Sequence, residues 1–142
     1  MSVNLYNSEG YLDPTAYAAL TRIEQEAKRT AFKPLVFICS PFAGDRERNA
    51  ERARRFCRFA VSRNCIPLAP HLIFPQFMDE DDAAQRDLGI FFGFVLMSKC
   101  AEVWVFGGNI TKGMAVEIEK AKRRGLPLRY FNDRCTEVKA PC

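Results

Sequence analysis

The sequence predicts an α/β fold in which helices cover both faces of a parallel sheet, with one additional helix on the N-terminal side. Short apolar runs alternate with longer helical patterns between residues 34 and 131. This alternation is typical of parallel strands joined by right-handed crossovers. The first run, Leu35 to Cys39, is continuously apolar, as expected of a strand that is covered on both faces.

Each element follows from a local signal. The first helix is expected from Pro14 to about Arg29, because Asp13 can act as its N-cap and proline is tolerated at the first helical position. Later helices are expected at 46–63, from a cap at Asp81 or Asp82 to about Lys99, and at 114–124. Strands are expected at 35–39, 66–69, 102–106 and 128–131. The chain thus divides into an N-terminal arm and helix (1–33), a domain (34–131) and a loose tail (132–142).

The composition excludes several classes of function. The chain has 142 residues, of which 48% are apolar and 27% charged, so it is expected to form one ordinary globular domain. A net charge of +4 is too small to indicate a nucleic-acid partner, and no apolar run approaches the roughly 20 residues of a membrane span. The first ten residues lack the pattern of a signal peptide, which favours a cytoplasmic location with reduced thiols. Six cysteines without a C-x-x-C pair, and a single histidine, predict no metal site, and no cofactor is expected.

In parallel sheets, ligands bind at the carboxyl ends of the strands, which selects three loops as the candidate site. The first loop offers a hydroxyl, an aromatic ring and a glycine that permits close approach of the backbone, in the order Ser40, Pro41, Phe42, Gly44. Asp45 at its end either binds a ligand or caps the next helix. Arg46 and Arg48 either meet a phosphate or are solvated surface residues.

The second loop, residues 70–82, is unusually apolar for a connection, which is typical of a lid or an interface. Phe74 and Phe77 either stack on a base or bury against a second subunit. His71, the single histidine, follows a strand end. It either orients a sugar and moves a proton or makes a structural hydrogen bond.

The third loop joins a buried strand to a helix through glycines, in the order Gly107, Gly108, Asn109, Gly113, Met114. Such a turn directs backbone N–H groups and the positive end of a helix toward an anion such as a phosphate. Glu117 lies one turn into the helix, where its carboxylate can face the same pocket and attack an anomeric carbon. The alternative is a surface glutamate that pairs with Lys120 or Lys122.

Residues 34–131 resemble the nucleoside 2-deoxyribosyltransferase-like superfamily. The resemblance rests on Val36-Phe37-Ile38-Cys39-Ser40 and Gly113-Met114-Ala115-Val116-Glu117. The Pro-His-Leu-Ile-Phe-Pro-Gln-Phe loop is similar to that of a bacterial branch often associated with phages or mobile elements. The resemblance implies a flavodoxin-like (Rossmann-like) sheet of four to five strands, assembly into dimers or larger homo-oligomers, and enzymes that exchange bases on deoxynucleosides or hydrolyse deoxynucleoside monophosphates. By the same resemblance, Glu117 occupies the place of the nucleophile.

Two positions depart from the pattern of the characterised enzymes. Phe37 occupies the place of a tyrosine near the site, and Phe94 the place of an aspartate. Asp87, two turns earlier on roughly the same helical face, can substitute for that aspartate. Three hypotheses follow: an enzyme that cleaves or transfers the N-glycosidic bond of a nucleoside or nucleotide, a non-catalytic nucleotide-binding module, and a structural partner protein.

Overall fold

The structure, a computed structural model, describes residues 14–29 and 33–141 of the chain. The chain divides after Lys33 into two compact units. In the first unit the described element is helix α1, Pro14–Arg29, whose bounds agree with the prediction. Its predicted cap, Asp13, and the arm before it lie outside the described residues.

The second unit alternates strands and helices in the order that the sequence predicts. Its strands are β1 (Leu35–Cys39), β2 (Ile66–Leu68), β3 (Glu102–Phe106), β4 (Leu128–Phe131) and β5 (Glu137–Val138). Its helices are α2 (Arg46–Ser62), α3 (Ala83–Met97) and α4 (Lys112–Arg123). The apolar loop between β2 and α3 contains two 3₁₀ turns, Pro70–Leu72 and Phe74–Gln76.

The strands form one sheet in the order β2-β1-β3-β4-β5. The first four strands of this order are parallel, whereas β5 runs antiparallel to β4. This is the strand order of flavodoxin-like folds, in which the connections change direction between β1 and β3. The predicted fold class is therefore confirmed, and the switch point where ligands bind in such folds lies between the carboxyl ends of β1 and β3.

Two apolar cores cover the two faces of the sheet, because alternate strand residues point to opposite sides. On one face α2 packs against β1, β3 and β4, through Val36, Ile38, Phe56, Ala60, Trp104, Phe106 and Phe131. On the other face α3 and α4 pack against β1 and β3, through Phe37, Cys39, Met97, Val103, Val105, Met114, Ile118 and Ala121. Helices on both faces are thus observed as predicted.

The helices of this unit begin at side-chain caps near the carboxyl edge of the sheet. Asp45 accepts a hydrogen bond from the backbone N–H of Arg48 at 3.1 Å, and Asp82 accepts from Ala84 at 2.9 Å. Thr111 caps α4 through Met114 N–H. Each cap supplies an acceptor to N–H groups that have no partner within the helix. Among the described helices, none combines the length and apolarity that crossing a membrane requires.

The C-terminal residues differ from the predicted loose tail, because part of them extends the sheet as β5. The turn before β5 is closed by the Asn132 side chain, which accepts from the N–H groups of Arg134 and Thr136 at 2.9 Å each. Arg129 then donates two hydrogen bonds to Glu137, at 2.8 and 2.9 Å. A strand of two residues is too short to produce a recognisable apolar alternation in the sequence.

Candidate active site at the carboxyl edge of the sheet

Glu117 lies on the face of α4 that packs against the sheet. Met114, Ile118 and Ala121 are buried on that face, and Glu117 falls between them at the same helical spacing. Its side chain is half-buried and therefore belongs to the inner face. By contrast, Glu119 is exposed and pairs with Arg123 at 3.2 Å, as expected for a glutamate on the solvent side.

The environment of Glu117 favours the neutral acid. Burial raises the pKa of this carboxyl from 4.5 to about 8, because removal from water disfavours the charged form. Within the described residues, no hydrogen bond or ion pair to Glu117 is present to offset this effect. Within the same residues, Glu117 forms no ion pair with Lys120 or Lys122, which was the alternative that the sequence allowed.

Cys39, the last residue of β1, lies within electrostatic range of Glu117. Burial, and secondarily the charge of Glu117, raise the pKa of its thiol well above the ordinary value. The same thiol approaches the carbonyl oxygen of Met114 at 3.8 Å. Glu117 is therefore next to the carboxyl end of β1, at the switch point of the sheet.

The loop from Gly107 to Thr111 sets where α4 begins. Gly107 has φ +100°, a backbone conformation that residues with a side chain rarely adopt, so glycine is favoured there. A Cβ atom would also approach a guanidinium nitrogen of Arg52 to 3.2 Å. Asn109 is exposed, and the space around Gly108 and Gly113 is open. The predicted anion cradle thus consists of accessible backbone at the N-terminal end of α4.

The first loop is held by a residue that was not predicted as part of the site. Asn49, a buried residue of α2, donates hydrogen bonds to the carbonyl oxygens of Phe42 and Ala43, at 3.1 and 3.0 Å. Ser40 and Pro41 before them are buried, whereas Gly44 is exposed and has φ +95°. Asp45 caps α2, which favours its structural interpretation over a ligand contact.

His71 brings the second loop onto the first. Its Nε2 lies 3.1 Å from the hydroxyl oxygen of Ser40, and its ring contacts that of Phe42 at 5.6 Å between centroids, with an interplanar angle of 45°. Burial lowers the pKa of His71 from 6.5 to about 4, so the imidazole is neutral at pH 7. The structure thus joins Ser40, Phe42 and His71 into one group.

A cavity of about 460 Å³ opens beside this group. It is lined by Phe42, Arg46, Glu47, Ala50, Arg54, His71, Leu72, Pro75, Gln76, Met78, Asp79, Glu80 and Asp81. An ion pair between Arg46 and Asp81, at 3.0 Å, joins two sides of it. None of these residues comes from α4, so the cavity adjoins the Ser40–His71 hydrogen bond and does not include Glu117.

The family of the chain follows from comparison with known proteins. Residues 34–131 match the model of a domain of unknown function, DUF7768. The chain belongs to the DUF7768 family. The matched segment begins just before β1 and ends with β4, so it contains the three loops described above.

One solved structure relates this DUF7768 domain to an enzyme fold. A 2-deoxyribosyltransferase from the psychrotolerant bacterium Bacillus psychrosaccharolyticus is similar, with a TM-score of 0.56 and 15% identity, over 75% of this chain and 77% of that chain. That enzyme is a biocatalyst for the synthesis of antiviral and antitumoral nucleosides. No protein of curated function matches the chain at a significant level. At this identity the similarity shows the fold alone, which agrees with the superfamily that the sequence motifs indicate; the phage-associated branch stays a prediction.

Two predicted site residues of the DUF7768 domain, Phe74 and Asp87, are not among the residues that line the cavity. Phe74 packs against Phe92 of α3, at 5.5 Å between ring centroids, and against Phe77 at 6.0 Å. Asp87 is exposed on the first half of α3. The 3₁₀ turns fold the second loop back onto α3, and this long-range packing could not be recognised from the loop sequence.

The Asn49 contacts lead to the first prediction for the DUF7768 domain. Asn49→Asp keeps the size of the side chain but removes both donors, so it should lower the free energy of unfolding by about 1–3 kcal/mol. Urea unfolding measures the change. Val61→Thr, a change of an exposed residue on the same helix, should leave stability within about 0.5 kcal/mol of the wild type. Equal stability of the Asn49→Asp variant and the wild type would contradict the role assigned to these hydrogen bonds.

A signal for Asn49 was present in the sequence. Asn49, Ala53, Phe56 and Ala60 recur at the spacing of one helical face, and these are the four buried residues of α2. A polar residue on an apolar stripe requires hydrogen-bond partners inside the protein. The partners themselves, two backbone carbonyls of the preceding loop, are visible only in the folded chain.

Proposed function

We propose that this protein cleaves or transfers the N-glycosidic bond of a nucleoside or nucleotide, with Glu117 as the nucleophile. The observation that carries the proposal is the position of Glu117: a desolvated carboxyl with no ion-pair partner among the described residues, at the switch point of a flavodoxin-like sheet. A buried carboxyl with a shifted pKa at such a place is typical of catalytic groups.

The chemistry that we propose has two steps. The ionised carboxylate of Glu117 forms a bond to the anomeric carbon, while the bond from that carbon to the base nitrogen breaks and the electron pair leaves with the base. Water or a second base then attacks the same carbon and displaces Glu117, which completes hydrolysis or transfer. The leaving base takes up one proton from solvent water in the first step, and the attacking water or second base releases one proton to solvent in the second step, so the protons balance.

The three loops supply the binding roles in this proposal. The loop from Gly107 to Thr111 and the N-terminal end of α4, which includes Gly113, hold the sugar or its phosphate through backbone N–H groups. Ser40 and Pro41 form the floor beside Glu117, because both are buried at the end of β1. The ring of Phe42 and the cavity next to it receive the base, and the sugar extends out of the cavity toward Glu117.

A non-catalytic nucleotide-binding module is the second candidate function, and specific contacts favour it. Phe37 has no polar group, and it is 1% exposed within the core between the sheet and helices α3 and α4. Phe94 packs under the ammonium of Lys120, 5.5 Å from the ring centroid. The polar groups that characterised relatives of this superfamily carry at these two places are thus replaced by packing.

Release of free base separates the two candidates. The purified protein is incubated with deoxynucleosides, deoxynucleoside monophosphates and NAD, and the products are separated by chromatography. Base release that disappears in Glu117→Ala supports the enzyme. Thermal stabilisation by a nucleotide without base release supports the binding module, and turnover that is unchanged in Glu117→Ala contradicts the proposed nucleophile.

We further propose that the protein assembles with copies of itself through α3. This helix is apolar on most sides, and Leu88, Phe91 and Val95 form an exposed stripe at helical spacing. A groove beside it is lined by Phe94, Ala115 and Val116, among others. The same face on two copies can pair about a twofold axis.

Introducing a charged residue into the exposed stripe of α3 tests whether this stripe mediates self-association. Val95→Glu should weaken self-association at least about tenfold, because a carboxylate would be buried against an apolar partner. Sedimentation velocity over a range of concentrations measures the change. Val61→Glu, which makes the same change at another exposed valine, on α2 (60% exposed, against 43% for Val95), is the matched control and should behave as the wild type. A wild-type protein that stays monomeric would overturn this proposal.

A further inference from the structure

The hydroxyl of Ser40 has a restricted choice of hydrogen-bond partners. Ser40 is 4% exposed, and His71 Nε2, at 3.1 Å, is the one partner of its side chain within the described residues. A buried hydroxyl that finds no acceptor for its hydrogen loses free energy relative to water. The Ser40–His71 contact must therefore satisfy the hydroxyl hydrogen.

Only one neutral tautomer of His71 can accept the hydroxyl hydrogen of Ser40. If Nε2 carried the proton, the imidazole would donate to Ser40 and the hydroxyl hydrogen would have no acceptor. If Nδ1 carries the proton, Nε2 presents a lone pair and Ser40 donates to it. The doubly protonated ring is excluded at pH 7, because burial keeps the imidazole neutral by lowering its pKa to about 4.

The Nδ1 atom of His71 is not fully buried, and its ring lines the cavity. Every fully buried side-chain nitrogen or oxygen of the described, non-exposed residues has a hydrogen-bond partner. Nδ1 has none in that part of the chain, so it is not fully buried, and the ring that carries it lines the cavity. Phe42, whose backbone is held by Asn49, contacts the ring and limits its rotation.

From this geometry we infer that His71 presents its Nδ1–H as a hydrogen-bond donor to a base in the cavity, and that Ser40 is the positioning residue that selects this tautomer. The base must carry an acceptor at that place, a carbonyl oxygen or an unprotonated ring nitrogen. That the base belongs to a nucleoside or nucleotide rests on the proposed function, whereas the tautomer does not.

The charges around the cavity favour a neutral base over a phosphate group. Its lining has two guanidinium groups and four carboxylates, on Arg46, Arg54, Glu47, Asp79, Glu80 and Asp81. Arg46 is already paired with Asp81 at 3.0 Å, and Arg54 with Glu51 at 2.9 Å. A phosphate would meet more negative than positive charge, whereas an uncharged planar ring meets Phe42 and one fixed donor.

The tautomer can be measured directly, because the chain contains a single histidine. In the full-length protein labelled with ¹⁵N-histidine, long-range ¹H–¹⁵N spectra at pH 7 should show the proton on Nδ1. In Ser40→Ala the proton should move toward Nε2, while Ser40→Thr, which keeps the hydroxyl, should retain it on Nδ1. Ser62→Ala, which removes an exposed hydroxyl that donates to the carbonyl oxygen of Phe59 and not to His71, is the control.

Two outcomes would overturn the assignment of the tautomer: a wild-type ring protonated on Nε2 or on both nitrogens, or a tautomer that is unchanged in Ser40→Ala. The wild-type spectrum decides the first point even if Ser40→Ala does not fold. A merely structural hydrogen bond would produce the same tautomer, so the spectrum tests the tautomer, and the ligand probes decide whether Nδ1–H binds a base.

Ligand probes test the occupant of the cavity. The free bases uracil and hypoxanthine, added in turn, should shift the Nδ1–H resonance of the wild type, and inorganic phosphate should not. No shift with either base, or an equal shift with phosphate, would overturn the assignment of the cavity to a base. Because this readout needs no turnover, a failure of the proposed reaction and a failure of this inference are distinguishable.

Discussion

Replacing Glu117 by glutamine is expected to reduce base release by at least about 10³-fold. The amide has nearly the same size as the carboxyl but cannot attack the anomeric carbon, so binding of the substrate should change much less than turnover. The experiment measures kcat and KM of the variant with the deoxynucleoside or nucleotide that the wild type cleaves best. A loss confined to KM would instead assign Glu117 to binding.

Glu119→Gln is the matched control for this prediction. It makes the same chemical change two residues away on α4, where the carboxylate is exposed and paired with Arg123, and it should keep wild-type turnover. The wild-type rate should also rise as the pH increases toward about 8, because the carboxyl of Glu117 must lose its proton to act. A rate that falls over this range would contradict a carboxylate nucleophile.

Replacing Glu117 by glutamine should also stabilise the protein at high pH. Burial raises the pKa of Glu117 from 4.5 to about 8, so the folded state holds the proton more tightly than the unfolded chain. The free energy of unfolding contributed by this group is therefore greatest below pH 4.5, falls as the pH rises to about 8, and is constant above that value. Glu117→Gln removes this penalty and should be about 2–4 kcal/mol more stable than the wild type at pH 9, but not at pH 4.

Urea unfolding at pH 4, 6, 8 and 9 measures this difference. His71, whose lowered pKa makes both proteins less stable as the pH falls from 6.5 to about 4, is present in each and cancels in the comparison. Glu119→Gln should show no such pH window, because its carboxylate is exposed. A constant difference between Glu117→Gln and the wild type at all four pH values would show that the carboxyl of Glu117 is solvated.

Much of the fold could be predicted because its signals are local. The run from Leu35 to Cys39 is apolar because both faces of β1 are covered, and Asp82 precedes a long helical pattern as an N-cap should. The position of Glu117 was also predictable, since a glycine-rich turn after a buried strand indicates where a helix begins. Strand β5 was not predictable, because its pairing depends on Arg129 and Glu137 meeting across a turn.

The candidate site depended more strongly on long-range contacts. Phe74 and His71 belong to the same loop. Phe74 nevertheless packs against Phe92 of α3, whereas His71 contacts Ser40. Asp87 shares a helix with Phe94 but is exposed. Neither the spacing nor the residue type distinguishes these cases, because each outcome is set by which surfaces the loop covers when the sheet forms.

The sequence by itself determined the order of strands and helices, the three loops at the carboxyl edge and the candidate nucleophile. Apolar periodicity, glycines and caps act between near neighbours and therefore can be recognised in the chain. Only the tertiary structure decided that Glu117 is desolvated, that Ser40 meets His71, and that the cavity beside them has a mixed charge. These properties depend on residues that are distant in the chain, such as Ser40 and His71, which are 31 positions apart. Their proximity, burial and pKa exist only once the parallel sheet has brought its strand ends together.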